Sequence, residues 1–357
     1  MSKQHLISKS NLRETQWIDS PAAALAEGDV RLRLDAFALT ANNVTYAAFG
    51  GPPMHYWNFF PSGDDGQGRV PVWGFATVAE SKSEGVSEGQ RVYGYFPISE
   101  ELIVSPMRIS DRGFMDGAAH RQGLAPIYNS YAFTSTDPAY VEGAEPEQML
   151  FRPLYMTGWM ICDFLMEADP RPDVALISSA SSKTAIAAAH SLQRRGVRTV
   201  GLTSPRNVEF VKKSGLYDDV LTYDDVGTYS GDGSVAYVDF VGRPELTNSV
   251  HETCGSNLVH SMVIGATDWE TDRAPAGELP GPTPTLFFVP DYAANRAKQL
   301  PPGELDARTG KDLVAFYPVS RTFVTPKPLQ GADAITQAWL DTVEANVPAD
   351  QGLVCRF

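Results

Sequence analysis

The pattern of apolar and polar positions changes its period once along the chain. Up to about residue 140, short runs such as DVRLRLDAFAL and GQRVYGYFPI are divided by Gly/Pro turns, which predicts a mainly β region. Near Glu145 the pattern changes. PEQMLFRPLYMTGWMICDFLMEA has apolar residues around the helical turn, and the prolines of DPRPD stop it. A third rhythm follows: DVALISS leads into KTAIAAAHSLQRRG, VRTVGLTS into PRNVEFVKKSG, DDVLTY into a polar turn, SVAYVDFVG into RPELTNSVHETCG, and NLVHSMVIGA ends the series. Short β-branched runs alternating with helix-like segments predict parallel strands joined by right-handed crossovers. The expected fold class is therefore α/β, a doubly wound parallel sheet beside a mainly β domain. The expected boundaries are 1–145, 146–288 and 289–357, the last segment finishing with DAITQAWLDTVEANV and QGLVCRF and returning to the first domain.

Composition narrows the field. With 357 residues, the chain can bury sizeable cores in one large or two modest domains. A net charge of −14 opposes binding to nucleic acid or to an anionic membrane surface. Neither a signal-peptide pattern nor an apolar run of membrane-spanning length is seen. Cys162, Cys254 and Cys355 are scattered and form no CxxC pair, which suits reduced thiols in a cytoplasmic protein and opposes a structural zinc site.

Chemistry enters at SSASSKTA, Ser178 to Ala185, between an apolar run and an Ala-rich helix, where a doubly wound sheet binds phosphate. The turn has no glycine. Small side chains preserve close approach in part, the hydroxyls of Ser178, Ser181, Ser182 and Thr184 can donate, and Lys183 adds charge beside the helix dipole. Two other readings stay open: a P-loop whose glycine positions are Ile177 and Ser182, and a plain Ser-capped helix without ligand. The end of the second predicted strand reads TSPRN. Thr203, Ser204 and Arg206 stand where an NAD site wants a carboxylate, and hydroxyls with Arg suit a 2′-phosphate, so NADP(H) is the expected cofactor.

The order of these pieces resembles the medium-chain dehydrogenase/reductase superfamily near its zinc-independent quinone oxidoreductase branch. The resemblance lies in ALTANNVTYAAFG (Ala38–Gly50), VPVWGFATVAESKSEGVSEGQRVYGY, YMTGWMICDFL, the Ser178 turn and HSMVIGAT, and covers residues 30–100 and 150–270. Through NNVTYA, YWNFFPS and YNSY the chain also resembles a group of related proteins that brings no established reaction with it. The resemblance implies a GroES-like catalytic domain, a Rossmann-type NADP-binding domain, nicotinamide contacts near Gly265, and a homodimer formed through the edge strand. ALTANNV and VWGFATV lack the thiol and imidazole of the zinc-dependent members, so metal is not expected.

Without zinc, side chains must polarise the substrate. Asn42 and Asn43 can hydrogen-bond a carbonyl oxygen or carboxamide, and Tyr46 can act as a general acid if a cation lowers its pKa. HYWNFFPS and APIYNSYAF offer Tyr56, Trp57, Phe59, Tyr128 and Tyr131 either as walls of an apolar substrate pocket or as a buried aromatic cluster. His190 and His260 read as structural. The expectation is a metal-free, NADP(H)-dependent reductase acting on a small conjugated or aromatic carbonyl compound. A lyase or isomerase without net redox, or a non-catalytic nucleotide-binding module, remains beside it.

Overall fold

The structure, a computed structural model, describes residues 1–21, 23–52, 54–264 and 279–357. The chain forms two compact units, Met1–Leu150 with Thr325–Phe357, and Phe151–Val324.

In the second unit, the short runs form a six-stranded parallel sheet. From one edge the order is Asp219–Thr222, Arg198–Thr203, Val174–Ile177, Val235–Asp239, Leu258–Val263 and Thr285–Leu286. In chain order this is 3-2-1-4-5-6, with the switch point between Val174–Ile177 and Val235–Asp239. These two strands are buried along their whole length, the mark of a sheet covered on both faces. Val174, Leu176, Val200, Leu202, Tyr237 and Val250 share one core. On the helical side, Gly158 of helix Glu145–Glu167 permits an unusually close approach: a Cβ there would lie 2.4 Å from the backbone nitrogen of Ala188 in helix Lys183–Gln193.

The first unit is built on a nine-stranded sheet whose central strands are Val30–Leu39, Pro71–Ser81 and Arg91–Pro97. Trp73 pairs with Tyr95 and Phe75 with Tyr93, while Gly74 lies opposite Gly94. Alternation thus puts aromatic rings on one face and glycines on the other. Both glycines sit under close neighbours. A Cβ on Gly74 would meet the Ala36 carbonyl oxygen at 2.3 Å, and one on Gly94 the Tyr131 ring at 2.4 Å.

The C-terminal segment is divided between the units. Gln351–Arg356 pairs antiparallel with Val30–Leu39 and parallel with Thr325–Gln330, completing the first sheet. Helices Val289–Gln299 and Glu304–Ser320 stay with the second unit. The physical reason is Phe316, whose ring lies 5.1 Å from Phe151 and Tyr155 and 4.9 Å from His190. Among the described residues, no helix is long and apolar enough to cross a membrane.

Candidate functional site

The Ser178 turn follows strand Val174–Ile177 and enters helix Lys183–Gln193 at the switch point. Ser179 takes the place of a turn glycine, with φ of +50° in the left-handed region. Its backbone hydrogen-bonds the phenol of Tyr223, the residue after strand Asp219–Thr222. Ser178 is fully buried; its Oγ donates to Asp239 Oδ1 at 2.6 Å and accepts from the Phe240 amide at 2.8 Å. The Ala180 amide donates to the Leu202 carbonyl at 3.1 Å, and the Tyr217 hydroxyl donates to the Ala180 carbonyl at 2.9 Å. Ser182 is the helix N-cap, its Oγ accepting from the Ala185 amide at 3.3 Å.

Most of the turn is therefore held by the protein itself. Ser181 is different. Its Oγ accepts from Asn207 Nδ2 at 2.9 Å, and the same nitrogen donates to Ser204 Oγ at 3.3 Å. Asn207 thus joins the turn to the end of strand Arg198–Thr203. It was not singled out in the sequence, where it reads as one more polar residue after Ser204-Pro205. Lys183 and Thr184 open the helix, half-buried, and Arg206 is exposed. Thr203 closes its strand with a buried hydroxyl that has no hydrogen-bond partner among the described residues. A phosphorylated dinucleotide fits these groups: a helix N-terminus with a lysine, a hydroxyl-lined strand end, an arginine, and no carboxylate in Thr203–Asn207. Gly265 lies outside the described residues.

In the first unit, Tyr46 stands on helix Ala41–Ala48 and is buried. Trp73 Nε1 donates to its hydroxyl at 3.2 Å, and the Tyr128 ring packs edge-on to its own with centroids 6.1 Å apart. Tyr46, Phe59, Phe60 and Tyr95 form one cluster, with Tyr56, Trp73 and Tyr128 packed against it. The Tyr56 and Tyr128 hydroxyls are 3.3 Å apart, and the Tyr95 and Tyr128 rings are 4.9 Å apart. Trp73 and Tyr95 belong to this candidate cluster and were not singled out in the sequence. Their signal was present in WGF and YGY, two aromatic-glycine-aromatic runs whose period of two puts the rings on one face.

Burial governs the chemistry of these phenols. It pushes the pKa of Tyr46, Tyr56, Tyr95 and Tyr128 upward. The lowered pKa expected of a cation-assisted acid is not what Tyr46 shows. Arg121, the cation acting on Tyr95, is itself buried and paired with Asp116 at 3.1 Å, and for Tyr95 burial outweighs it. Tyr46 is a neutral hydrogen-bond donor: because Trp73 can only donate, the phenol oxygen accepts there and keeps its own proton for an acceptor.

Three predicted residues do other work. Asn43 Oδ1 accepts from the Thr40 amide at 2.7 Å and its Nδ2 donates to the Pro71 carbonyl at 2.8 Å, which docks the helix on strand Pro71–Ser81. Trp57 fills the space beside Gly50 and Gly68, where added Cβ atoms would lie 2.0 Å and 2.3 Å from its indole. Tyr131 packs on Phe114 with centroids 5.2 Å apart and donates to the Tyr95 carbonyl at 2.8 Å.

Solved structures share this fold at low sequence identity. CurA from Vibrio vulnificus in complex with NADPH has a TM-score of 0.64 at 13% identity, over 99% of this chain and 98% of that one. A mutant form of an enoyl thioester reductase from Candida tropicalis has a TM-score of 0.61 at 12%, over 100% and 99%. A mycobacterial protein complexed with NADPH has a TM-score of 0.62 at 12%, over 100% of both chains. The two-domain fold implied by the medium-chain dehydrogenase/reductase resemblance is the fold of this chain. No curated protein matches the sequence. The family described as "Protein of unknown function (DUF2855)" matches residues 37–348, and the chain belongs to it.

Proposed function

We propose that the protein is a cytoplasmic, NADP(H)-dependent oxidoreductase that reduces a small conjugated or aromatic carbonyl compound of the enone or quinone type. The observation that carries this reading is the group in which Asn207 ties Ser181, in the turn at the sheet's switch point, to Ser204, after the neighbouring strand Arg198–Thr203, with Arg206 in the same loop and no carboxylate in Thr203–Asn207. Two structures of the same fold are NADPH complexes, which supports the choice of cofactor. The three cysteines are buried, and burial pushes their thiols up to about 11 or 12, which suits inert structural thiols.

NADPH supplies the hydride when bound. Lys183 and Thr184 would hold its pyrophosphate at the helix N-terminus, and Ser204 and Arg206 its 2′-phosphate. Tyr46 and Asn42 donate to the substrate oxygen on which negative charge develops. The rings of Tyr56, Tyr128 and Trp73 exclude water and favour a flat, apolar substrate. As in the resembling superfamily, the assembly proposed is a homodimer.

The internal bonding of Ser178, Ser179 and Ser182 favours a second reading, nucleotide binding without net redox. One experiment separates them. Purified protein should bind NADPH by calorimetry and consume its 340 nm absorbance in step with product across an enone and quinone panel. Binding without consumption supports the second reading, and absence of binding overturns both.

A further inference from the structure

Asn207 carries an inference that rests on the NADP(H) reading and deepens it. A side-chain amide nitrogen has two hydrogens, and Asn207 Nδ2 directs them at two serines, Ser181 at 2.9 Å and Ser204 at 3.3 Å. Each hydroxyl oxygen is thereby an acceptor toward Asn207, and each keeps its own proton to donate elsewhere. The two serines come from different segments, the phosphate turn and the loop after strand Arg198–Thr203, and one nitrogen fixes both. All three residues are half-buried, and Arg206 beside them is exposed.

We infer that Asn207 is a positioning residue: it sets Ser181 and Ser204 as paired donors for a phosphate monoester, the group that distinguishes NADP(H) from NAD(H). A phosphate monoester is rich in acceptor oxygens and has no strong donor at neutral pH, so it matches two hydroxyl donors and an arginine. A ribose hydroxyl, which also donates, gains less from them. Selectivity in this protein then depends on the polarity of the Asn207 amide, with no glycine or backbone cradle required.

The test uses the full chain and needs no turnover. Calorimetry compares 2′,5′-ADP with 5′-AMP, which differ by the 2′-phosphate. Wild type binds 2′,5′-ADP more tightly. Asn207→Asp puts a carboxylate on the serines, which then donate inward, and adds a negative charge; the affinity for 2′,5′-ADP should fall about a hundredfold, against less than about threefold for 5′-AMP. If Asn207→Asp does not fold, Ser204→Ala removes one donor and should cost about tenfold for 2′,5′-ADP alone. A wild-type ratio retained in Asn207→Asp, or equal losses for both ligands, overturns the assignment while leaving the NADP(H) reading in place. A wild type indifferent to the 2′-phosphate overturns both.

Discussion

Ser178 and Asp239 are locked together across the switch point of the parallel sheet, the serine hydroxyl donating to the buried carboxylate over 2.6 Å. Asp239 Oδ1 also accepts from the amides of Val241 at 3.0 Å and Gly242 at 3.1 Å, so the loop after the fourth strand is folded around this pair. Ser178 is thus part of the frame beneath the turn. Ser178→Ala leaves a buried carboxylate one donor short and should lower stability by about 1–3 kcal/mol. Urea denaturation reads this loss, while dinucleotide affinity measured on the folded variant should stay within about twofold. A large loss of affinity at unchanged stability would instead make the hydroxyl a ligand contact.

Lys183 and Arg206 should divide the cofactor between them. Lys183 opens the helix at the turn and Arg206 follows the end of strand Arg198–Thr203; in the proposed function the first would meet the pyrophosphate common to both dinucleotides and the second the 2′-phosphate that only NADP(H) carries. Lys183→Ala should weaken NADPH and NADH alike by about tenfold, and Arg206→Ala should weaken NADPH by about tenfold with NADH nearly unchanged. Titrating each variant with both cofactors checks the division, and equal losses in Arg206→Ala contradict it.

Tyr46 should act as a proton-bearing donor at every pH the protein survives. Burial raises its pKa above the ordinary phenol value of 10.0, so it stays protonated where a free tyrosine ionises. Tyr46→Phe should lower kcat by about a hundredfold, the cost of removing one donor from a developing oxyanion. The wild-type pH–rate profile should show no alkaline limb from this residue below about pH 10. A limb near neutrality that disappears in Tyr46→Phe would mean a lowered pKa.

The fold was legible because its signals are local. The buried runs around VALI and VAYVD and the alternating helices carry the parallel sheet in their own periodicity. Of the candidate site, residue type and position single out Ser181 and Ser204, which the structure brings into one hydrogen-bonded group, and Tyr46, which it places in the aromatic cluster. Asn207 escaped because its role depends on a residue 26 positions away, and Trp73 because its indole serves a tyrosine 27 positions away. Ser178 and Asn43 illustrate the converse. Their residue types suit ligand binding, but folding supplies partners, Asp239 and the Pro71 carbonyl, that no local pattern announces.

Gly158 tests how closely the helices covering the sheet must approach. Helix propensity alone predicts that Gly158→Ala stabilises the protein by about 1 kcal/mol. The new Cβ, however, would sit 2.4 Å from Ala188 N and 2.7 Å from Ala187 C, backbone atoms that cannot rotate away. Sterics should win, with a net loss of about 2 kcal/mol or more from overpacking, read as a lower denaturation midpoint. A stabilised Gly158→Ala would show that the two helices separate freely.

Two buried histidines should set the acid limit of the fold. His5 is fully buried and stacked on Trp17 with centroids 4.7 Å apart, and neither ring nitrogen has a hydrogen-bond partner among the described residues. His190 is buried too, its Nδ1 2.8 Å from the Tyr155 hydroxyl. Burial lowers both from the ordinary 6.5 to about 4, with Arg194 adding to the effect at His190. The unfolded chain therefore takes up these protons first. Stability is full above pH 6.5 and is lost as pH falls from 6.5 toward 4, by about 3 kcal/mol for each imidazole. His5→Phe keeps a ring on Trp17 but removes one titration, so its denaturation midpoint should fall less steeply than that of wild type across this window. Parallel curves for the two proteins would show that His5 does not carry its share of the acid sensitivity.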